Sequence, residues 1–329
     1  MKKITIFLLL ALLTPPALRA QEFLALNPDA RTAGMGNATA AASSGPLTVY
    51  TNAAASLFST GTFEIGASYA PWLRDLARGY DLTAVGGFVP LRQRHALAFG
   101  ARFYRSPRYS SDYDADEAPF IPKDEFNDPL SAGTGSFRPL DLSADVAYGY
   151  RINRWLGISA TARYVRSSFL DFYPADQAFG LDLAAYARVP LDRMAEGAWI
   201  GAGLKIADID VTFGDADCLL PTRINLGGTL FAPIRDSHWL EATLDLGYRI
   251  WPEELRPSAF EAAFGAEYTL MQLFSLRAGY HVSSDRSCNY ATVGAGVRFL
   301  HIAADFSYLL AGRKCPWRNT WQIGIGLCF

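Results

Sequence analysis

Residues 238–250 read HWLEATLDLGYRI. The even positions Leu240, Ala242, Leu244, Leu246, Tyr248 and Ile250 are apolar, while Glu241, Thr243, Asp245, Gly247 and Arg249 fill the odd ones. A strict period of two belongs to an extended strand with one apolar and one polar face, and no helix face can be built from it. The pattern returns in 139–151, where Leu142, Val146, Tyr148 and Tyr150 oppose Asp141, Ser143, Asp145 and Arg151. It returns again in 155–166 and in 273–283, where Phe274, Leu276, Ala278 and Tyr280 oppose Ser275, Arg277, Gly279 and His281.

Cutting the chain at turn residues predicts strands at 62–70, 80–90, 94–105, 139–151, 155–166, 178–190, 197–208, 222–234, 238–250, 258–270, 273–283, 289–298, 301–311 and 319–329. That makes about fourteen, with lengths near the 9–11 residues that a tilted strand needs to cross a bilayer. Connectors alternate between short and long, as in outer-membrane barrels. The fold class is therefore all-β: a transmembrane antiparallel β-barrel of about 14 strands. A soluble β-sandwich also alternates, but here the polar phase carries many charges, among them Arg102, Asp145, Arg163, Asp182, Asp245 and Arg277. Such a face suits a lumen that holds water or a plug. The tryptophans Trp72, Trp155, Trp199, Trp239, Trp251, Trp317 and Trp321 fall near strand boundaries, where a membrane-interface belt is expected.

The first residues have another character. Lys2 and Lys3, the apolar run Ile4 to Leu13, Pro15-Pro16 and Ala20 follow the order of a secretory signal peptide, with cleavage expected after Ala20. Residues 1–20 are thus read as the signal peptide, 21–61 as an N-terminal plug or periplasmic segment, and 62–329 as the barrel. A formal net charge of −2 offers no footprint for nucleic acid. Of the four cysteines, Cys218, Cys288 and Cys315 lie on one side of the barrel, and free thiols are expected there because connectivity cannot be read from sequence. Cys328 is a small inward residue of the last strand.

Chemistry-bearing motifs are sparse. Gly34-Met35-Gly36 lacks the preceding strand and third glycine of a dinucleotide loop, and no HExxH or GxSxG occurs. His281, Ser283 and Asp285 are the one group that a barrel hydrolase could use, and lumen-facing polarity explains them without it. The loop 106–138 is acidic, with Asp112, Asp114, Asp116, Glu117, Asp124, Glu125 and Asp128, but matches no calcium-loop spacing. No enzyme activity, cofactor or metal is expected.

A family resemblance spans the chain. FLALNPDARTAGMGNATAAA at 23–42, YTNAAASL at 50–57, GASYAPWLRDL at 66–76, AFGAEYTLMQLFSLRAGYH at 263–281, ADFSYLLA at 304–311 and the ending RNTWQIGIGLCF resemble the PorV family of the Bacteroidetes type IX secretion system. These proteins belong to the wider FadL-like barrels, and the resemblance implies fourteen strands with an inserted N-terminal segment. It further implies a non-enzymatic outer-membrane carrier that takes secreted cargo by its C-terminal signal domain. Cargo would pass from the translocon to the attachment complex containing a PorU-type sortase. The family's Trp-Asn-x-Ala group stands here as Thr51-Asn52-Ala53-Ala54, which leaves a PorV/PorQ paralogue open.

A FadL-like channel for hydrophobic small molecules is the alternative. A barrel of about fourteen strands leaves an interior wider than its own side chains fill, so the segment before the first strand is expected to occupy it. Its candidate plug and docking residues are Asn27, Pro28, Asp29, Arg31, Gly34, Met35, Gly36 and Asn52, with Pro71 and Trp72 from the first strand. The expected partners are cargo, translocon, sortase complex and outer-membrane lipid.

Overall fold

The computed structural model describes residues 19–20, 22–74, 79–92, 94–110, 136–168, 175–193, 195–211, 218–235, 237–250, 258–284, 288–313, 315 and 317–329. Fourteen strands close into one antiparallel barrel. They are β1 (Glu64–Trp72), β2 (Tyr80–Leu91), β3 (His95–Arg105), β4 (Leu140–Arg151), β5 (Leu156–Ser168), β6 (Asp176–Pro190) and β7 (Trp199–Asp210). The second half comprises β8 (Thr222–Arg235), β9 (His238–Ile250), β10 (Ala259–Leu270), β11 (Phe274–Ser283), β12 (Tyr290–Phe299), β13 (Ile302–Ala311) and β14 (Trp321–Cys328). Each strand pairs with the next, and β14 returns to β1 with Gly326 opposite Gly66. Beyond the ladder, the Phe329 carbonyl accepts from the Thr62 N–H at 2.5 Å and the Phe329 N–H donates to Phe63 at 2.9 Å.

The alternation decides which face meets lipid. On β9, Leu244 is 50% exposed and Leu246 42%, whereas Glu241 and Asp245 are each 2% exposed. Apolar residues outside and charges inside invert the order of a soluble sandwich and satisfy the hydrocarbon, in which a closed barrel leaves no unpaired edge.

Three expectations need correction. Trp72 and Trp199 are 7% and 5% exposed and do not join a lipid-facing belt. Period two places Trp72 in phase with the buried Glu64, Ser68 and Ala70, so it turns inward. Cys288 and Cys315 form a disulfide with Cα atoms 5.1 Å apart, because β12 and β13 bring the segments before and after them together. The connector 191–198 is about as long as 169–175, since β5 ends later and β6 begins earlier than expected while β7 begins later. The acidic part of the loop 106–138, together with Trp251 and Asp285, lies outside the described residues.

Among the described residues the ladder shifts register at the end of β8, between Pro233 and Arg235, and within β7. The register of β7 against β6 shifts between Ile206 and Ile209, a bulge that turns Asp208 fully inward at φ 59°. Bulges re-aim side chains in this way.

Candidate functional site

Residues 23–58 run along the inner wall. Phe23 and Leu24 pack with Val165 and Ala178 of β5 and β6, and Met35 and Gly36 lie against β10 and β11. Thr39 and Ala40 meet Asp245 of β9, and Leu57 and Phe58 pack with Tyr186 of β6.

Local sequence fixes the path. Asp29 caps a single helical turn α1 (Ala30–Ala33), its carboxylate accepting from the Arg31 and Thr32 N–H groups. Capping satisfies donors that a buried turn cannot give to water. Pro28 is buried beside it and favours the extended approach at Asn27. The Asn27 side-chain amide donates to Thr32 Oγ1 and Asn37 Oδ1, both at 2.9 Å, while the Asn27 backbone carbonyl accepts from Gln322 Nε2 at 2.7 Å. Gly36 stands at φ 72°, where a Cβ would come within 2.7 Å of the Phe264 carbonyl oxygen. Only glycine fits both the conformation and the approach. Its N–H donates to Thr292 Oγ1 at 2.8 Å, and that hydroxyl donates onward to the Gly34 carbonyl at 3.0 Å. Met35 is fully buried against Gly265.

Arg31 ties the turn to the wall. Its guanidinium donates to Glu267 Oε2 and Glu241 Oε2, each at 2.9 Å, and to the Ser43 carbonyl at 3.2 Å. Arg277 shares Glu267 at 2.5 Å. Asn52 is fully buried and begins the 3-10 turn Ala53–Phe58, accepting from the Ala54 N–H. Its amide donates to the Ala40 carbonyl at 2.7 Å and to the Ala185 carbonyl of β6 at 3.1 Å. The predicted residues therefore face the lumen with one exception, Asn27 to Gly36 lying against one part of the wall and Asn52 against β6. Trp72 lines a cavity of about 20 Å³ with Asn27 and Asn37, room for about one water, whereas Pro71 belongs to the opposite phase of β1.

On the other side of the lumen Arg163 joins Asp145 at 2.5 Å, Asp182 at 3.0 Å, and Asp208. Around it, Arg102 and Arg223 both donate to the Leu24 carbonyl, at 3.1 and 3.0 Å, and Lys205 donates to the Tyr50 carbonyl at 2.8 Å. Arg151 donates to the Leu57 carbonyl, and Arg188 to the Phe58 carbonyl at 3.3 Å. The charges around Arg163 persist because they are paired and hydrogen-bonded, whereas Arg151 and Arg188 are held by backbone carbonyls of the inner segment.

Sequence reasoning missed Lys205, Asp208 and Thr292, as well as the role of Glu241. Lys205, Thr292 and Glu241 lie on the polar phase of their strands, which was the available signal. Asp208 is off phase because of the bulge. His281 stacks on Tyr290 with centroids 4.8 Å apart, which is the packing of a lumen aromatic. Among the described residues no cluster of His, Cys, Asp or Glu could hold a metal ion.

Solved structures share this architecture. The P. putida toluene transporter TodX aligns with a TM-score of 0.57 and 11% identity over 91% of this chain and 97% of that one. The Ralstonia pickettii toluene transporter TbuX gives 0.53 and 13% over 92% and 96%, and the monoaromatic hydrocarbon channel CymD 0.54 and 13% over 91% and 96%. Identities this low establish the fold alone. A comparison with curated protein sequences finds no match. The family model described as "Type IX secretion system protein PorV" matches residues 17–248, a span that takes in the whole inner segment and β1 to β8, and the chain belongs to that family.

Proposed function

We propose that this outer-membrane protein is a non-enzymatic carrier of the type IX secretion system. In this reading it binds the C-terminal signal domain of secreted cargo and passes the cargo from the translocon to an attachment complex with a PorU-type sortase. Residues 1–20 are removed after Ala20, and residues 21–61 serve as a plug and docking element built on Asn27, Asp29, Arg31, Gly34, Met35, Gly36 and Asn52.

The observation that carries the reading is how the inner segment meets the wall. It rests on glycine backbones of the wall and lies beneath arginine and lysine side chains. A molecule crossing this lumen would have to displace buried ion pairs, and breaking one such pair costs about 3–5 kcal/mol. That suits a fixed plug better than a gate.

The barrel likeness to hydrocarbon channels supports a second reading, a channel for hydrophobic small molecules. Deleting residues 24–40 separates the two. A carrier loses cargo attachment in cells and gains conductance in planar bilayers. A channel loses uptake of hydrophobic compounds while cargo display stays intact, and that result would reverse the assignment.

A further inference from the structure

The short turns form a rim with two chemistries. On the β2–β7 side the exposed turn residues include Arg92, Arg94, Arg154 and Arg193, with Ile152 and the interface aromatic Trp155 beside Arg154. On the β10–β14 side the turns are Met271-Gln272-Leu273 and Leu300-His301, continued by Phe299 and the chain end Phe329. Leu300 is 80% exposed, Met271 64% and Phe299 62%. Backbone conformation does not explain the difference. Arg92, Met271 and Leu300 stand at φ 57°, 56° and 52°, a region that turns normally fill with glycine, asparagine or aspartate. The same backbone position takes an arginine on one side and an aliphatic residue on the other, so the surroundings of the side chain must differ.

Strand length runs the same way. β11, β12 and β13 have 10 residues each and β14 has 8, against 13 in β5, 15 in β6, 14 in β8 and 13 in β9. On the short side the lipid-facing phase of β12 and β13 stays apolar to the tip, through Val297, Phe299, Leu300 and Ile302, which are 43%, 62%, 80% and 50% exposed. This surface is continuous with the barrel's lipid-facing band. On the other side arginine side chains are placed to keep their charge at the headgroup level while their stems lie along apolar surface.

We propose that the barrel sits obliquely in the outer membrane. Turns 271–273 and 300–301 lie below the headgroups of the periplasmic leaflet, against acyl chains, and the arginine turns lie at the water boundary. Short turns of such barrels face the periplasm, and apolar side chains at a turn tip are stable only out of water. The proposal requires that the chain span the outer membrane and does not depend on the carrier role.

The test uses the full chain with Cys218→Ser and Cys328→Ser, carrying Met271→Cys, Leu300→Cys, Asn153→Cys or Arg193→Cys, each confirmed as a folded barrel by its heat-dependent gel mobility. In liposomes of phosphatidylethanolamine and phosphatidylglycerol, a fluorophore on residues 271 and 300 is quenched by lipids brominated on their acyl chains, while one on 153 or 193 is not. A membrane-impermeant maleimide reacts on the order of tenfold more slowly at 271 and 300, since it must leave water to reach them. Equal rates and equal quenching at all four sites overturn the proposal. Protection of 271 and 300 in native outer membranes but not in liposomes would also overturn it, because the cover would then be a protein.

Discussion

The two halves of the lumen hold the inner segment by different means. From β3 to β8, long cationic side chains reach across to backbone carbonyls, with Arg102 and Arg223 on Leu24 and Lys205 on Tyr50. From β9 to β12 the wall itself retreats. Gly265, Gly279 and Gly294 let the backbone of residues 34–36 lie directly on the sheet, and Arg31 reaches outward from the segment to Glu241 and Glu267. The first half combines one close backbone approach, where Ala40 and Ala41 lie on Gly203 and Gly227 of β7 and β8, with a set of tethers that flexible side chains can adjust. The second is a fitted surface that leaves no room for adjustment, so the two should respond differently to mutation.

The largest effect is expected where charge and fit coincide. Arg31→Met leaves Glu241 without its cation and removes one of two from Glu267, a loss of about 3–5 kcal/mol. Protease cleavage within residues 23–58 should rise sharply while the barrel stays folded. A variant as resistant as the parent would mean that the glycine surface alone holds the segment.

Next come substitutions outside the lumen, where the halves should no longer differ. Val146 on β4 and Leu244 on β9 are 60% and 50% exposed to lipid. Arg at either should cost about 2–4 kcal/mol near the midplane, read from urea unfolding in lipid vesicles. Unequal costs would show that the contrast is not confined to the inner face.

Smaller, and aimed directly at the comparison, is a pair of glycine substitutions. A Cβ at Gly279 overlaps the backbone of Met35 and Gly36, whereas one at Gly149 on β4 meets the Leu57 side chain at 3.3 Å. Gly279→Ala should cost about 1–3 kcal/mol by overpacking. Gly149→Ala should cost less than about 1 kcal/mol, because a side chain can turn aside. Equal losses would dissolve the distinction between fitted and tethered halves.

The smallest expected change lies in the segment itself. Asp29→Ala removes the cap of α1 and should cost about 1 kcal/mol, visible as faster hydrogen exchange at Arg31 and Thr32 with the barrel amides unchanged.

How much of this was legible in sequence follows the same division. Alternation in stretches such as 238–250 carries the strand count, the lipid face and the inward charges, because a period of two needs no knowledge of neighbours. The inner segment was visible as a break in that period, with Asp29, Arg31 and Asn52 as polar residues needing partners. Their actual partners were not visible, since Glu241 and Ala185 are some two hundred and one hundred and thirty positions away along the chain. Gly265 and Gly279 read as ordinary slots in a strand, and nothing local says that another backbone rests on them. Trp72 and Trp199 misled because position near a strand end says belt, whereas phase says lumen.

The way residues 23–58 touch β5, β6, β9, β10 and β11 in turn also bears on the order of assembly. A closed cylinder admits a chain only through its ends, so wrapping of the sheet around the segment before β14 meets β1 is the direct route to so buried a path. That last pairing joins residues 64–69 to 323–328, the longest closure between strands of the barrel, and so the one with the largest loop entropy to overcome. The segment then works as a mandrel: it sets the girth of the cylinder while the cylinder is still an open ribbon, and a chain lacking it should close more slowly even where the finished wall is equally stable.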